Sequence, residues 1–175
     1  MKKTALLVID VQNAVVQSQK PELYAASSVI TNICALVENA REHSVPVFFI
    51  RHESRTGDFK YGSEGWKLYS DITPRNNDTV VGKWSDDAFK DTTLLGELQT
   101  RGIEKLVIAG LLTESGIDAT VKSAERLGYE TIVAADAHST FDRQLQKASV
   151  VIERYNRLWS KSARVLNTAE VDFTV

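Results

Sequence analysis

Residues Leu106–Ala137 read LVIAGLLTESGIDATVKSAERLGYETIVAADA. The stretch opens on a short apolar run, Lys105–Ala109, bounded by Gly110, which has the length and composition of a buried strand. From Ile117 the period changes: Ile117, Val121 and Ala124 stripe one helical face, and Gly128 stands where that helix ends. Thr131–Ala135 then returns to a β-branched, apolar run. Strand, helix and strand in this order describe a crossover unit, and such a unit makes its strands parallel.

Moving outward, further apolar runs occur at Thr4–Ile9, Val45–Ile50, Thr79–Val81 and, more weakly, Arg164–Leu166. Between the first two, Val29, Ile33, Leu36 and Ala40 recur at helical spacing, and Pro46 marks a point the helix cannot pass. Thr93–Arg101 reads as another helix closed by Gly102. Phe141–Trp159 reads as a last one, with Leu145, Ala148, Val151, Ile152 and Tyr155 on its apolar side. The expectation is an α/β protein in three layers, with a mainly parallel six-stranded sheet and one domain over residues 1–175.

The charge balance, 21 Lys and Arg against 23 Asp and Glu for a net −2, argues against a broad electrostatic grip on nucleic acid or an anionic membrane. No apolar stretch reaches the roughly 20 residues of a membrane span. Lys2 and Lys3 precede an apolar run, but Asp10 ends it too early for a secretory signal. The single cysteine, Cys34, permits no internal disulfide, and the expectation is a cytoplasmic protein. Cys34 lies in the apolar stripe of the first helix and reads as core.

Arg51–Asp78 has no sustained period, yet it carries Tyr61, Trp66 and Tyr69 among Gly57, Gly62 and Gly65. Long loops in compact domains are uncommon and tend to be functional. This one is either a surface excursion packed by its own side chains or the wall of a pocket. Because it leaves the carboxyl end of a strand, where open α/β sheets bind ligands, the wall is favoured.

The carboxyl ends of the strands share one edge of a parallel sheet. Asp10 follows the first, Lys83 the third, Thr113–Gly116 the fourth, and Asp136 with His138 the fifth. Asp10 and Lys83 can therefore face each other across a crevice, although each alone also reads as a capping carboxylate or a surface lysine. Asp136 and His138 read as turn and capping residues ahead of the last helix. Ser115 and Asp118 have the spacing of a capping box, with Asp in place of the usual Glu or Gln. The backbone N–H groups of that turn suit an oxyanion or a carboxylate. Its most exposed position carries Gly116, which has no side chain to react.

Three motifs in order, ALLVIDVQN (Ala5–Asn13), VGKWSDDAFKDTTL (Val81–Leu94) and LVIAGLLTESGIDATVKSAERLGYETIVAADA, resemble the isochorismatase-like hydrolases. DAHSTFD and VVIERYN near the close of the chain resemble the small cysteine-hydrolase branch that includes streptothricin hydrolases. The resemblance implies a Rossmann-like α/β/α fold and a catalytic Asp, Lys and Cys. These positions fall on Asp10, Lys83 and Gly116. It also implies oxyanion donors on the backbone of Leu112 and Gly116, with a cis peptide between Leu111 and Leu112. With glycine at position 116 no thioester can form. Isochorismatases proper need no such cysteine, and there the Asp acts as a general acid on an enol ether.

The expected function is cysteine-independent hydrolysis of a small molecule such as an enol ether, with Asp10 as general acid and Lys83 as its electrostatic partner. An amide or imide hydrolase whose nucleophile is replaced, and a non-catalytic binding protein, are the alternatives. Lys83 favours ionised Asp10 while burial opposes it. Gln12, Arg51, His52, Arg55 and Trp84 are candidates for substrate contacts, the arginines for substrate carboxylates. His52 also reads as a polar loop residue. The Asp-x-His metal signature of nicotinamidases is absent from Phe49–Glu53, so neither a metal nor another cofactor is expected. Family likeness implies a homo-oligomer, for which Trp66, Tyr69, Trp84 and Trp159 are candidate interface or pocket-wall residues, core packing being the alternative.

Overall fold

A computed structural model of the chain describes residues 2–19 and 21–174. Strands β1 (Thr4–Ile9), β2 (Val47–His52), β3 (Thr79–Lys83), β4 (Lys105–Leu111), β5 (Glu130–Ser139) and β6 (Arg164–Leu166) form one sheet. Their order is β3-β2-β1-β4-β5-β6, and every neighbouring pair is parallel. The order runs outward in opposite directions from β1 and β4. In open α/β sheets, ligands bind at the carboxyl ends of the strands where the order reverses in this way.

β1 is buried along its whole length, because both faces of the sheet are covered. Leu6 and Val8 point into one apolar cluster with Phe49, Val107 and Ile132. Ala5, Leu7 and Ile9 point into the other with Phe48, Ile50 and Ile108. The first cluster is closed by helix α2 (Ala26–Glu42), through Val29, Ile33, Leu36 and Ala40. The second is closed by α3 (Leu94–Thr100), α4 (Asp118–Arg126) and the end of α5 (Ala148–Trp159), through Leu98, Val121 and Trp159. A four-residue helix, α1 (Asn13–Val16), precedes α2.

Several boundaries differ from the sequence reading. β2 starts at Val47 because α2 ends in paired reverse bonds, Ser44 N–H to the Arg41 carbonyl and Val45 N–H to the Ala40 carbonyl, which occupy Val45. The last helix starts at Ala148 and not near Phe141. Asp142 accepts the Ala148 backbone N–H at 2.9 Å and the Lys147 ammonium at 2.7 Å, so the chain before Ala148 turns instead of coiling. Leu145 is consequently fully exposed and not part of an apolar helix face. Cys34 is only half-buried at the edge of the core, its thiol 3.5 Å from the Asp71 carbonyl.

Residues 53–78 form an ordered flap over the carboxyl edge, with one 3-10 turn at Ser70–Ile72. Its backbone is tied to the segment after β1: Asn13 N–H donates to Lys67, Ala14 N–H to Gly65, and Tyr69 N–H to Val11. No helix among the described residues is long and apolar enough to cross a membrane.

Candidate active site

β1 ends at Ile9 and the next residue, Asp10, adopts a left-handed backbone conformation with φ 51°. This conformation is unfavourable for a residue with a side chain and persists only where its surroundings enforce it. The Asp10 N–H is held by the Ile50 carbonyl at 2.8 Å. Two strands away, β3 delivers Lys83, whose side chain is fully buried. Its ammonium donates to Asp10 Oδ2 at 2.6 Å and to the Ser85 carbonyl at 3.0 Å.

The other carboxyl oxygen, Asp10 Oδ1, is buried and has no hydrogen-bond partner. Burial raises the Asp10 pKa to about 6 and outweighs the opposing charge and hydrogen bond of Lys83 and the smaller opposing effect of the nearby His52 backbone N–H, with Asp86 pushing in the same direction as burial. Desolvation therefore wins the contest that the sequence leaves open.

After β4 the chain passes a cis peptide at Leu111–Leu112 and enters a π-helical turn, Thr113–Ile117, that runs directly into α4. The Leu112 carbonyl accepts the Ser115 and Ile117 N–H groups at 3.2 and 3.1 Å. Gly116 is buried within this turn. A Cβ built on it would lie 3.0 Å from Asp10 Oδ2 and 2.9 Å from the Leu111 carbonyl oxygen. Asp10, Lys83 and Gly116 are thus brought together. The capping box expected from Ser115 and Asp118 does not form, because helical geometry continues through both residues. Asp118 instead accepts from Lys122 at 2.6 Å and from the Trp159 indole at 3.1 Å.

His52 ends β2 beside Lys83, in register with it. It belongs to the strand and not to a loop. Burial lowers its pKa, and the Lys83 charge adds to that effect. Gln12 is wholly buried, and its amide is spent on backbone. Nε2 donates to the His52 and Trp66 carbonyls at 2.9 and 2.8 Å, and Oε1 accepts the His52 N–H at 2.8 Å. The amide thereby pins the flap to β2. Arg51 stacks on Trp66, 3.5 Å from the ring centroid, and lies 3.5 Å from Glu53. Arg55 is exposed in the flap, and Trp84 is exposed directly after Lys83. Trp159 is core and Tyr69 packs against the core.

Sequence reasoning missed one buried polar chain. His138 is part of β5 and not a turn residue, and its ring bridges Thr113 Oγ1 and Asn156 Oδ1, each at 2.9 Å. Asn156 Nδ2 donates to the Ala135 carbonyl, so its Oδ1 faces the ring and takes the Nε2 proton. His138 Nδ1 then accepts from the Thr113 hydroxyl at the start of the turn. Burial lowers the His138 pKa to about 4, which keeps the ring neutral. Asp136 likewise belongs to β5 and caps the C-terminal segment through Thr168 N–H and Oγ1, both at 2.7 Å.

The fold and site define an α/β protein with an acid and a lysine at the switch point of a parallel sheet. The Isochorismatase domain family model matches residues 4–168, and the chain belongs to that family of hydrolases. The isochorismatase family protein YddQ of Bacillus subtilis is 34% identical over 153 residues, 86% of this chain and 85% of that protein. Streptothricin hydrolase of Streptomyces noursei is 34% identical over 142 residues, 79% of this chain but 50% of that protein. A solved structure assigned as an isochorismatase hydrolase from Oleispira antarctica is similar at 32% identity with a TM-score of 0.89, covering 97% of this chain and 95% of that one.

Proposed function

We propose that this chain is a hydrolase working without a cysteine nucleophile, with Asp10 as the general acid that opens a small enol ether. The observation that carries the reading is the asymmetry of the Asp10 carboxyl group. Lys83 occupies Oδ2, while Oδ1 is buried, unpartnered and free to hold a proton. With its pKa near 6, the group is partly protonated close to neutrality, as an efficient general acid should be.

In the proposed reaction Asp10 delivers its proton to the terminal carbon of the C=C bond, whose electron pair forms the new C–H bond. The positive charge left on the adjacent carbon is shared by the ether oxygen bound to it as an oxocarbenium ion, and water adds to that ether-bearing carbon. The hemiketal collapses to a ketone and an alcohol, and the proton released by the added water returns to Asp10. Ionised Asp10, paired with Lys83, stabilises the cation while it exists. The backbone of Leu112 and Gly116 faces substrate or water, and His52, Arg51, Arg55 and Trp84 are the side chains proposed to contact the substrate's remainder. The reading includes a single domain over residues 1–175, acting in the cytoplasm as a homo-oligomer.

A second reading rests on the likeness to streptothricin hydrolase: an amide or imide hydrolase scaffold whose nucleophile is replaced by Gly116. The 2.9 Å separation between a Cβ at position 116 and the Leu111 backbone carbonyl oxygen favours the first. Ketone release from isochorismate or a simpler enol ether, compared between wild type and Asp10→Asn, tests the assignment.

A further inference from the structure

A cleft of about 850 Å³ lies at the amino ends of β2 and β3, lined by Arg41, Ser44, Arg75, Asn76, Asn77 and Arg101. It is at the opposite edge of the sheet from Asp10 and Lys83, which stand at the carboxyl ends of β1 and β3. Its volume is in the range of small-molecule sites, and no group of the proposed reaction faces it. We propose that this cleft binds a small molecule carrying oxyanionic groups, carboxylate or phosphate.

The charges of the cleft are layered. Among the described residues, Asp78 contributes the one carboxylate that lines the cleft. Its side chain is only 5% exposed, under Arg41 at 2.5 Å and the Arg75 backbone N–H at 2.7 Å. The side chains that remain open are Arg75, 62% exposed, and Arg101, 34% exposed. A ligand entering the cleft therefore meets guanidinium groups above a carboxylate that is already neutralised.

Those guanidinium groups are also held in place. Arg41 donates to Glu38 at 2.7 Å and to the Thr73 carbonyl at 3.0 Å, and its Nε is buried without a partner. Arg75 donates to Glu38 at 2.9 Å, and Arg101 to Thr79 Oγ1 at 2.8 Å and to Glu97 at 3.2 Å. Glu38 and Glu97 do not line the cleft and lie on the flanking helices. Planar forks fixed in this way suit bidentate binding of carboxylate or phosphate.

The C-terminus of α2 also points here, and its negative end opposes an anion. Two of its last carbonyls are already taken by Ser44 and Val45 N–H groups, which reduces that opposition. Ser44 itself sits at φ 56°, where glycine would be relaxed. A hydroxyl is thus kept at the cleft at a conformational cost.

The test is calorimetric titration of the full chain with citrate and with pyrophosphate, each at constant ionic strength. Saturable binding at one site per chain is expected, with a Kd of about 1 mM or tighter. Arg75→Glu should weaken it at least tenfold and Asp10→Asn should leave it unchanged. Binding of both probes assigns the shared oxyanion chemistry, and binding of one alone assigns carboxylates or phosphates. Arg101→Glu serves as a second variant if Arg75→Glu shifts the unfolding midpoint. Absence of saturable binding by either probe overturns the proposal, as does retention of wild-type affinity in both arginine variants or loss of it in Asp10→Asn.

Discussion

Lys83 reaches Asp10 at 2.6 Å across 73 residues of sequence, and it touches only one of the two carboxyl oxygens. Burial of the carboxyl group outweighs this contact, and the result is a pKa near 6.

Replacing Lys83 therefore has a directional consequence. With the ammonium gone, the largest influence left on Asp10 is burial, which raises its pKa further. In Lys83→Met the upper limb of the pH–rate profile should move to higher pH than in wild type, with a lower maximum because the cation loses its ionised counterpart. An unmoved limb would show that Asp10 is not the titrating acid.

Gly116→Cys tests the crowding around the turn. Its Cβ would be 2.9 Å from the Leu111 carbonyl oxygen, and overpacking of this kind typically costs about 1–3 kcal/mol. A lowered urea midpoint without gain of amide or imide hydrolysis is expected. A stable variant that hydrolyses such substrates would support the replaced-nucleophile reading instead.

The two buried titrating groups give opposite pH dependences of stability. His138 has a folded pKa of about 4, below its unfolded value. Its contribution is present above about 6.5 and is lost as pH falls through about 4, by about 3 kcal/mol. Asp10 has a raised folded pKa, so its contribution is present below about 3.8 and is lost as pH rises through about 6. Between pH 4 and 6 the two oppose each other. Relative to wild type, Asp10→Asn should lose more stability on acidification from pH 7 to 4, and His138→Gln should lose less. Urea unfolding at intervals of one pH unit reads both differences, and equal slopes in all three proteins would refute this assignment.

The layered fold was legible because strands buried on both faces are continuous apolar runs, and β6 begins and ends at the residues read from the sequence. Asp10 and Lys83 could be paired from the sequence because parallel topology sends both strand ends to one edge, and the family resemblance supplied Gly116. Other features depend on side-chain bonds that no period announces. Asp142 starts α5 by accepting the Ala148 N–H, so apolar Leu145 is left in solvent. His138 takes partners 25 residues before and 18 residues after it, and its neighbours in the chain give no sign of them. Gln12 was legible as a polar residue near the site, but not as the pin of the flap, since its partners are backbone groups of His52 and Trp66.

The central claim is that Asp10 gives up a proton, and the pH dependence of kcat/KM for enol-ether hydrolysis tests it most directly. The account predicts activity that falls as pH rises through about 6, the value at which Asp10 loses its proton. It also predicts a loss of roughly 10²–10⁴-fold or more in Asp10→Asn, whose amide cannot supply that proton. Enol-ether cleavage that rises through pH 6, or that survives Asp10→Asn undiminished, would contradict it.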